Sequence, residues 1–251
     1  MKVTHEDFRT IRLMASLFTP DEEVSSKKLL ATLPENWKAK FTGQPMQVIV
    51  EGQFAASPEI PKLILKDNAG VWICEIGSSR VNFIWQNSAV DALVPLNTEF
   101  FSEASTFLNE YAYEIQRARV GRISTAIERY LFMENPAAYL CEYFCKESLR
   151  EEAGNGPLKR SDNFEIHNHK RFSFEIVGER INVNSWVRSK TEKLPVENDL
   201  RRPIILVIQD INSLKEELEY RNFSHEQISG FFKASSFELD KILSLYYPKS
   251  E

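Results

Sequence analysis

Three small clusters of residues have the types and spacing to do chemistry. Glu165, His167 and His169 alternate along one extended stretch. Period-two geometry puts their side chains on one side, where two imidazoles and a carboxylate could ligate zinc or iron. Cys141 and Cys145 stand four apart on a helical pattern and so share a face, as thiolate ligands would need to. Asp210 is followed shortly by Glu216 and Glu217, carboxylates that could divide acid and base roles. Each cluster also has a plainer account, which the sequence favours: the solvent face of a strand, thiols packed as small apolar groups, and a cap followed by a solvated helical stretch. No catalytic residue, cofactor or metal site is therefore assigned, and His167 and His169 remain the only candidate ligands.

Other chemistries lack their signatures. There is no G-x-S-x-G elbow, no G-x-x-x-x-G-K-[ST] loop and no G-x-G-x-x-G turn. Only nine glycines are spread over 251 residues, leaving few places where backbone could approach a phosphate closely. Three cysteines without C-x-x-C spacing argue against a disulfide framework or zinc finger and fit a reducing cytoplasm. The first residues lack the apolar stretch of a signal peptide, and nowhere do 18 apolar residues run together, so no membrane association is expected.

Charge gives the most pointed expectation. Against 36 acidic residues stand 31 Lys and Arg, a net charge of −5, which disfavours a surface that tracks nucleic-acid phosphate throughout. Yet Arg117, Arg119, Arg122 and Arg129 cluster in one segment, and Lys170, Arg171, Arg180, Arg188, Lys190, Arg201 and Arg202 crowd another. Basic groups gathered against the overall sign suit an anionic partner. Arg188, Lys190, Arg201 and Arg202 are the expected partner-binding residues, with pairing to Glu128, Glu165, Glu175, Glu179 and Glu192 as the alternative use of the same charges. Trp37, Trp72, Trp85 and Trp186 could anchor a protein partner if exposed, although large aromatics on a sheet are most often core.

The elements that must position these groups can be read from periodicity. Short β-branched and aromatic runs bounded by turn residues predict strands at 11–18, 47–54, 62–66, 71–76, 80–86, 119–132, 164–176, 180–189 and 204–211. Apolar residues three and four apart from Phe100 to Ile115 predict an amphipathic helix capped by Asn97 or Thr98. Further helices are expected at 25–33, at 136–149 behind Asn135 and Pro136, and at 225–246, where Ser224 and Gln227 form a capping box. A polar loop is expected over 152–161.

The order of elements recurs, and so does a motif. Glu75-Ile76, Arg80-Val81-Asn82-Phe83 and Trp85 match Glu175-Ile176, Arg180-Ile181-Asn182-Val183 and Trp186, the first six pairs at an offset of 100 residues. The expected fold is α+β, with antiparallel sheets, long amphipathic helices and two pseudo-repeated β-α-β-β-β-α halves, 1–117 and 118–251, either separate or fused into one unit.

Taken in order, the hairpin from Gly77 to Trp85, the strand from Arg119 to Tyr130 and the strand end Asp210-Ile211-Asn212 resemble a sporadically distributed prokaryotic family of mostly uncharacterised proteins. The chain departs from that pattern at Leu131, where the family carries Asn. The resemblance implies an α+β fold and placement in mobile or defence gene clusters, and it implies no catalytic residues. A looser likeness to SecB-like chaperones rests on element order alone. The function expected is that of a non-enzymatic adaptor, regulator or sensor that binds a protein, such as the product of an adjacent gene in an antiviral or immunity-type pair. A SecB-like binder of unfolded segments is the main alternative, and a metal-dependent enzyme or a nucleic-acid accessory protein are lesser ones. Homo-oligomerisation is left open.

Overall fold

A computed structural model describes residues 3–20, 25–48, 60–87, 93–146, 162–195 and 200–249. Its centre is an antiparallel nine-stranded sheet: β1 (Arg9–Phe18), β2 (Met46–Gln47), β3 (Leu63–Lys66), β4 (Trp72–Ile76), β5 (Arg80–Gln86), β6 (Arg122–Phe132), β7 (Glu165–Ile176), β8 (Glu179–Pro195) and β9 (Arg201–Ser213). The helices are α1 (Ser26–Thr32), α2 (Glu35–Lys40), α3 (Asn97–Glu110), α4 (Pro136–Phe144) and α5 (His225–Tyr246). The fold is thus α+β, as expected. The strand order is β2-β3-β4-β5-β1-β6-β9-β8-β7, so the two sequence halves meet in the β1–β6 ladder.

Alternation along the strands sorts side chains onto two faces. Leu13, Ala15 and Leu17 of β1 pair across with Trp85, Phe83 and Val81 of β5 and with Ile127, Thr125 and Ile123 of β6. This face is buried under the helices, where Phe100, Phe101, Leu108, Phe231 and Phe232 complete the main core. The antiparallel helices α3 and α5 are tied by Asn97 Nδ2 to Asp240 Oδ1 at 2.6 Å near one end and by Ser105 Oγ to Ser229 Oγ at 2.8 Å near the other. At Gly230 a Cβ would lie 2.4 Å from Ile176 Cγ2, so α5 rests on the end of β7 closely enough that only glycine fits.

Boundaries follow local chemistry. Ser224 and Gln227 form the expected capping box at α5, with Ser224 N donating to Gln227 Oε1 at 2.9 Å and Gln227 N to Ser224 Oγ at 3.2 Å. The start of α3 differs: Leu96 takes the cap position, Glu99 accepts from its N–H, and the Asn97 amide is used on α5 instead. β6 begins at Arg122 rather than Arg119, because Gly121 N donates to Phe18 O and Arg119 turns to the carbonyl of Arg221. β8 and β9 run longer than their apolar runs suggested, since each supplies the other's backbone partners out to Pro195 and Arg201. Helix α2 escaped the sequence reading. It brings Trp37 into the core, where the indole N–H donates to Glu110 at 2.7 Å. Most of the strand expected over 47–54 and the loop expected over 152–161 lie outside the described residues.

Trp37 and Trp85 are fully buried, core residues rather than exposed anchors. Trp72 is half-buried, with the Lys40 ammonium 3.2 Å from its ring centre, and Trp186 is half-buried on the opposite face. The matched hairpins also fall out of step. The Arg80 hairpin is β4–β5, the second and first strands out from the central ladder. The Arg180 hairpin is β7–β8, the third and second. An offset of 100 residues therefore does not bring the two hairpins to corresponding positions in the sheet.

Candidate binding groove on the open face of the sheet

Among the described residues, every helix that packs on the sheet core does so from the face just described. The other face carries a groove of about 510 Å³ floored by β1, β6, β9 and β8 and walled by β5 and β7. Its construction follows from register. One rung across the sheet reads Arg171, Asn184, Asn212, Ser124, Ser16, Asn82, Glu75, all polar. The next reads His169, Trp186, Asp210, Ala126, Met14. Beyond the polar rung, on the other side, Phe18 stands opposite both Arg80 and Arg122.

These polar groups hold one another in place. Ser16 donates to Asn82 Oδ1 at 2.7 Å, and Asn82 Nδ2 donates to Glu75 at 2.9 Å. Arg122 donates through Nε to the Ser213 carbonyl and through Nη2 to Asn212 Oδ1, both at 3.2 Å, while the Asn212 amide donates to Asp210. Arg171 donates to Asn184 at 2.9 Å and pairs with Glu216 at 3.3 Å. Arg188 pairs with Glu165 at 2.9 Å.

Glu165, His167 and His169 do share a face, as period two requires. The histidines are used differently from metal ligands, however. His169 stacks on Trp186 with ring centres 3.9 Å apart and planes at 15°, and His167 tilts against the same indole at 4.9 Å. Among the described residues no three His, Cys, Asp or Glu side chains gather as a metal would need. Cys141 lies in α4 and Cys145 just past its end, their separation spanned by a Cys145 N–H bond to the Cys141 carbonyl. Cys74 is buried in the core, where desolvation pushes its thiol well above the usual range.

The partner-binding residues expected from sequence are divided. Arg188, Lys190 and Arg202 share the open face, whereas Arg201 alternates to the other. Lys190 pairs with Glu192 at 3.0 Å, and the Arg202 guanidinium lies 4.2 Å from the Phe132 ring centre. Of the other expected cations, Arg122 joins the groove, while Arg129 turns into the core. The structure adds Arg80, Phe18 and Ser124 to the groove. Arg80 stood out in sequence only as part of the hairpin motif, since nothing local says which strands adjoin.

Among the described residues Asp210 is the one carboxylate lining the groove. Burial raises its pKa from 3.8 to about 6, against the opposing pull of Asn212, Arg122, His169 and Arg188. Between those pH values the folded chain keeps a proton that the unfolded chain releases, so stability falls as pH rises and the cost is complete above about pH 6. Asp210→Asn is therefore expected to match the parent in urea melts near pH 3.5 and to exceed it by about 2 kcal/mol at pH 8. Equal differences at both pH values would contradict this.

Comparison with protein-family models, curated proteins and solved structures finds no match. Among the described residues no helix is long and apolar enough to cross a membrane. The reading of function accordingly rests on the groove and on the sheet edge beside it.

Proposed function

We propose that this chain is a non-enzymatic adaptor, regulator or sensor that takes an acidic, extended segment of a partner protein along the edge strand β7. One observation carries this reading: β7 is a 12-residue edge whose middle, His167 to Arg171, is basic and exposed. The hairpin closes at Ile176 and Glu179, with Thr191 N donating to Phe164 O at its far end. Even-numbered β7 residues therefore bond to β8, and the backbone groups of His167, His169, Arg171 and Ser173 point outward. Among the described residues no strand pairs with this row, and such a row invites an added strand. Antiparallel pairing with a second copy centred on Lys170 would set Lys170 against its own twin and Glu165 against Glu175, so like charges oppose self-association in that register. An acidic strand meets complementary charge from Lys170, and from Arg171, Arg188 and Lys190 by exchange with their present partners Glu216, Glu165 and Glu192.

The family resemblance supplies a setting, a prokaryotic defence or immunity-type pair with the partner encoded nearby. Three free thiols suit a reducing cytoplasm. We also read the two halves as a duplicated β-α-β-β-β-α unit. The support is the strand order, which runs outward from β1–β6 as β5, β4, β3 on one side and β9, β8, β7 on the other. A chaperone would want an apolar groove between helices. The groove between α3 and α5 mixes hydroxyls, among them Ser102, Ser105, Ser229 and Ser236, with the rings of Phe101 and Phe237.

The test uses a ten-residue peptide alternating Glu and Val, with a Lys–Val counterpart, followed by hydrogen exchange and fluorescence anisotropy. The acidic peptide is expected to bind and to slow exchange at His167, His169, Arg171 and Ser173, and Lys170→Glu with Arg171→Glu should weaken it at least tenfold. Equal binding of the basic peptide, or no protection along β7, would refute the reading.

A further inference from the structure

The far end of the groove, away from β7, has a composition that strand addition does not use. Phe18 on β1 is flanked in register by Arg80 on β5 and Arg122 on β6. Their guanidinium carbons lie 5.8 and 4.6 Å from the Phe18 ring centre. Among the described residues neither arginine has a carboxylate within 4.0 Å, unlike Arg12, Arg171 and Arg188 around them. The Arg80 guanidinium has no hydrogen-bond acceptor there either. Arg122 is anchored through Nε and Nη2, which fixes its plane and leaves Nη1 for a ligand. Burial acts most strongly against its ionised form, Asp210 opposes that, and the Arg80 charge adds to the burial effect. The two cations flank Phe18 from either side and repel each other, which Asp210 offsets only in part at Arg122 and an anion between them would relieve.

A third group points to the same ligand. Ser124 follows Arg122 by one full alternation on β6, lines the groove, and is 6% exposed. Its hydroxyl has no hydrogen-bond partner among the described residues and opens on the groove. It can donate to an oxygen placed between the two arginines.

We propose that Arg80, Arg122 and Ser124 bind the phosphoryl group of a small phosphate monoester whose organic part lies along the groove. Two guanidiniums match a dianion, whereas a carboxylate needs only one, and their planar forks suit the oxygens of a phosphate. The groove volume of about 510 Å³ falls in the range of small-ligand sites. Met14, Phe18, Ala126 and Ile208 give the body of such a ligand an apolar lining. This site is independent of strand addition at β7, though ligand bound here would sit in the same groove as Trp186 and Arg188 and could report on that edge.

Calorimetry with 1-naphthyl phosphate, 1-naphthoate and inorganic phosphate tests the assignment on the full chain. The naphthyl phosphate is expected to bind at least tenfold more tightly than either of the others. Arg80→Ala, which removes no side-chain hydrogen bond or ion pair among the described residues, should weaken it at least tenfold with unchanged circular dichroism, and Arg80→Lys should restore part of the loss. Asp210→Asn, by deleting the one negative charge in the groove, should tighten it. Lys170→Glu with Arg171→Glu should leave it unaltered, so failure of the β7 reading and failure of this one are distinguishable. No binding at millimolar naphthyl phosphate, naphthoate binding as tightly as the phosphate, or full affinity in Arg80→Ala would overturn the proposal.

Discussion

Asp240→Ala is expected to cost the fold about 3 kcal/mol, read as a drop in the urea midpoint at pH 7. Arg129 sits on the core face of β6 with its side chain 6% exposed, between the sheet and α5. Its charge is met by Asp240 Oδ1 at 2.7 Å and by Gln209 Oε1 at 2.5 Å, while Gln209 in turn donates to the Leu239 carbonyl of α5 at 2.8 Å. Burial acts against the guanidinium's ionisation, and Asp240 is what opposes that. Truncating the carboxylate leaves a buried cation with only a neutral amide, the expensive way to break such a pair. Arg129→Met removes the cation instead and fills the same space. That variant, alone or with Asp240→Ala, leaves the buried Gln209 Oε1 without its donor and is expected to cost about 1 kcal/mol, well short of Asp240→Ala alone. If Asp240→Ala alone proved harmless, the cluster would be a surface pair with no part in holding α5 to the sheet.

Gly121→Ala is expected to destabilise by about 3 kcal/mol, for a steric reason. A Cβ there would lie 2.0 Å from the carbonyl oxygen of Leu218 and 2.9 Å from its carbon, both backbone atoms with little freedom to move. The segment carrying Leu218 is pinned just beyond by Phe223 N donating to Val120 O at 2.9 Å. Accommodation would have to shift the start of β6, and with it Arg122. Gly70→Ala gives the contrast. It meets nothing within 4 Å and carries only the penalty of its φ of +67°, about 1 kcal/mol. Thermal melts of the two variants should therefore separate clearly, with Gly121→Ala the lower.

The long strands and α5 were legible because their signals are local: β-branched runs ending in turns, and a capping box that starts a 22-residue apolar stripe. Helix α2 was not, since six residues carry less than two turns of periodicity and only Trp37 marks its buried side. The groove was half legible. Alternation correctly put His167 and His169 together, but Arg80, Phe18 and Ser124 come from three strands separated by long stretches of sequence. Their meeting depends on β1 lying between β5 and β6, which no local pattern encodes. Arg129 misled for a similar reason. A charged residue in a strand reads as solvent-facing until tertiary packing supplies Asp240 from more than a hundred residues away.

The β1–β6 ladder has a consequence for synthesis on the ribosome. The 10-residue β1 is made early and can pair with β5 once that strand emerges, but its other side stays bare until the 11-residue β6 follows. Leu13, Ala15 and Leu17 then line a sticky margin whose complement is still inside the exit tunnel. The C-terminal half meets the mirror problem if released alone, with Ile123 and Ile127 along an unmatched β6. Neither half can finish its sheet without the other, so the nascent chain passes through an interval in which it is most open to misassembly with neighbours on the same message, and faster delivery of residues 122–132 shortens that exposure.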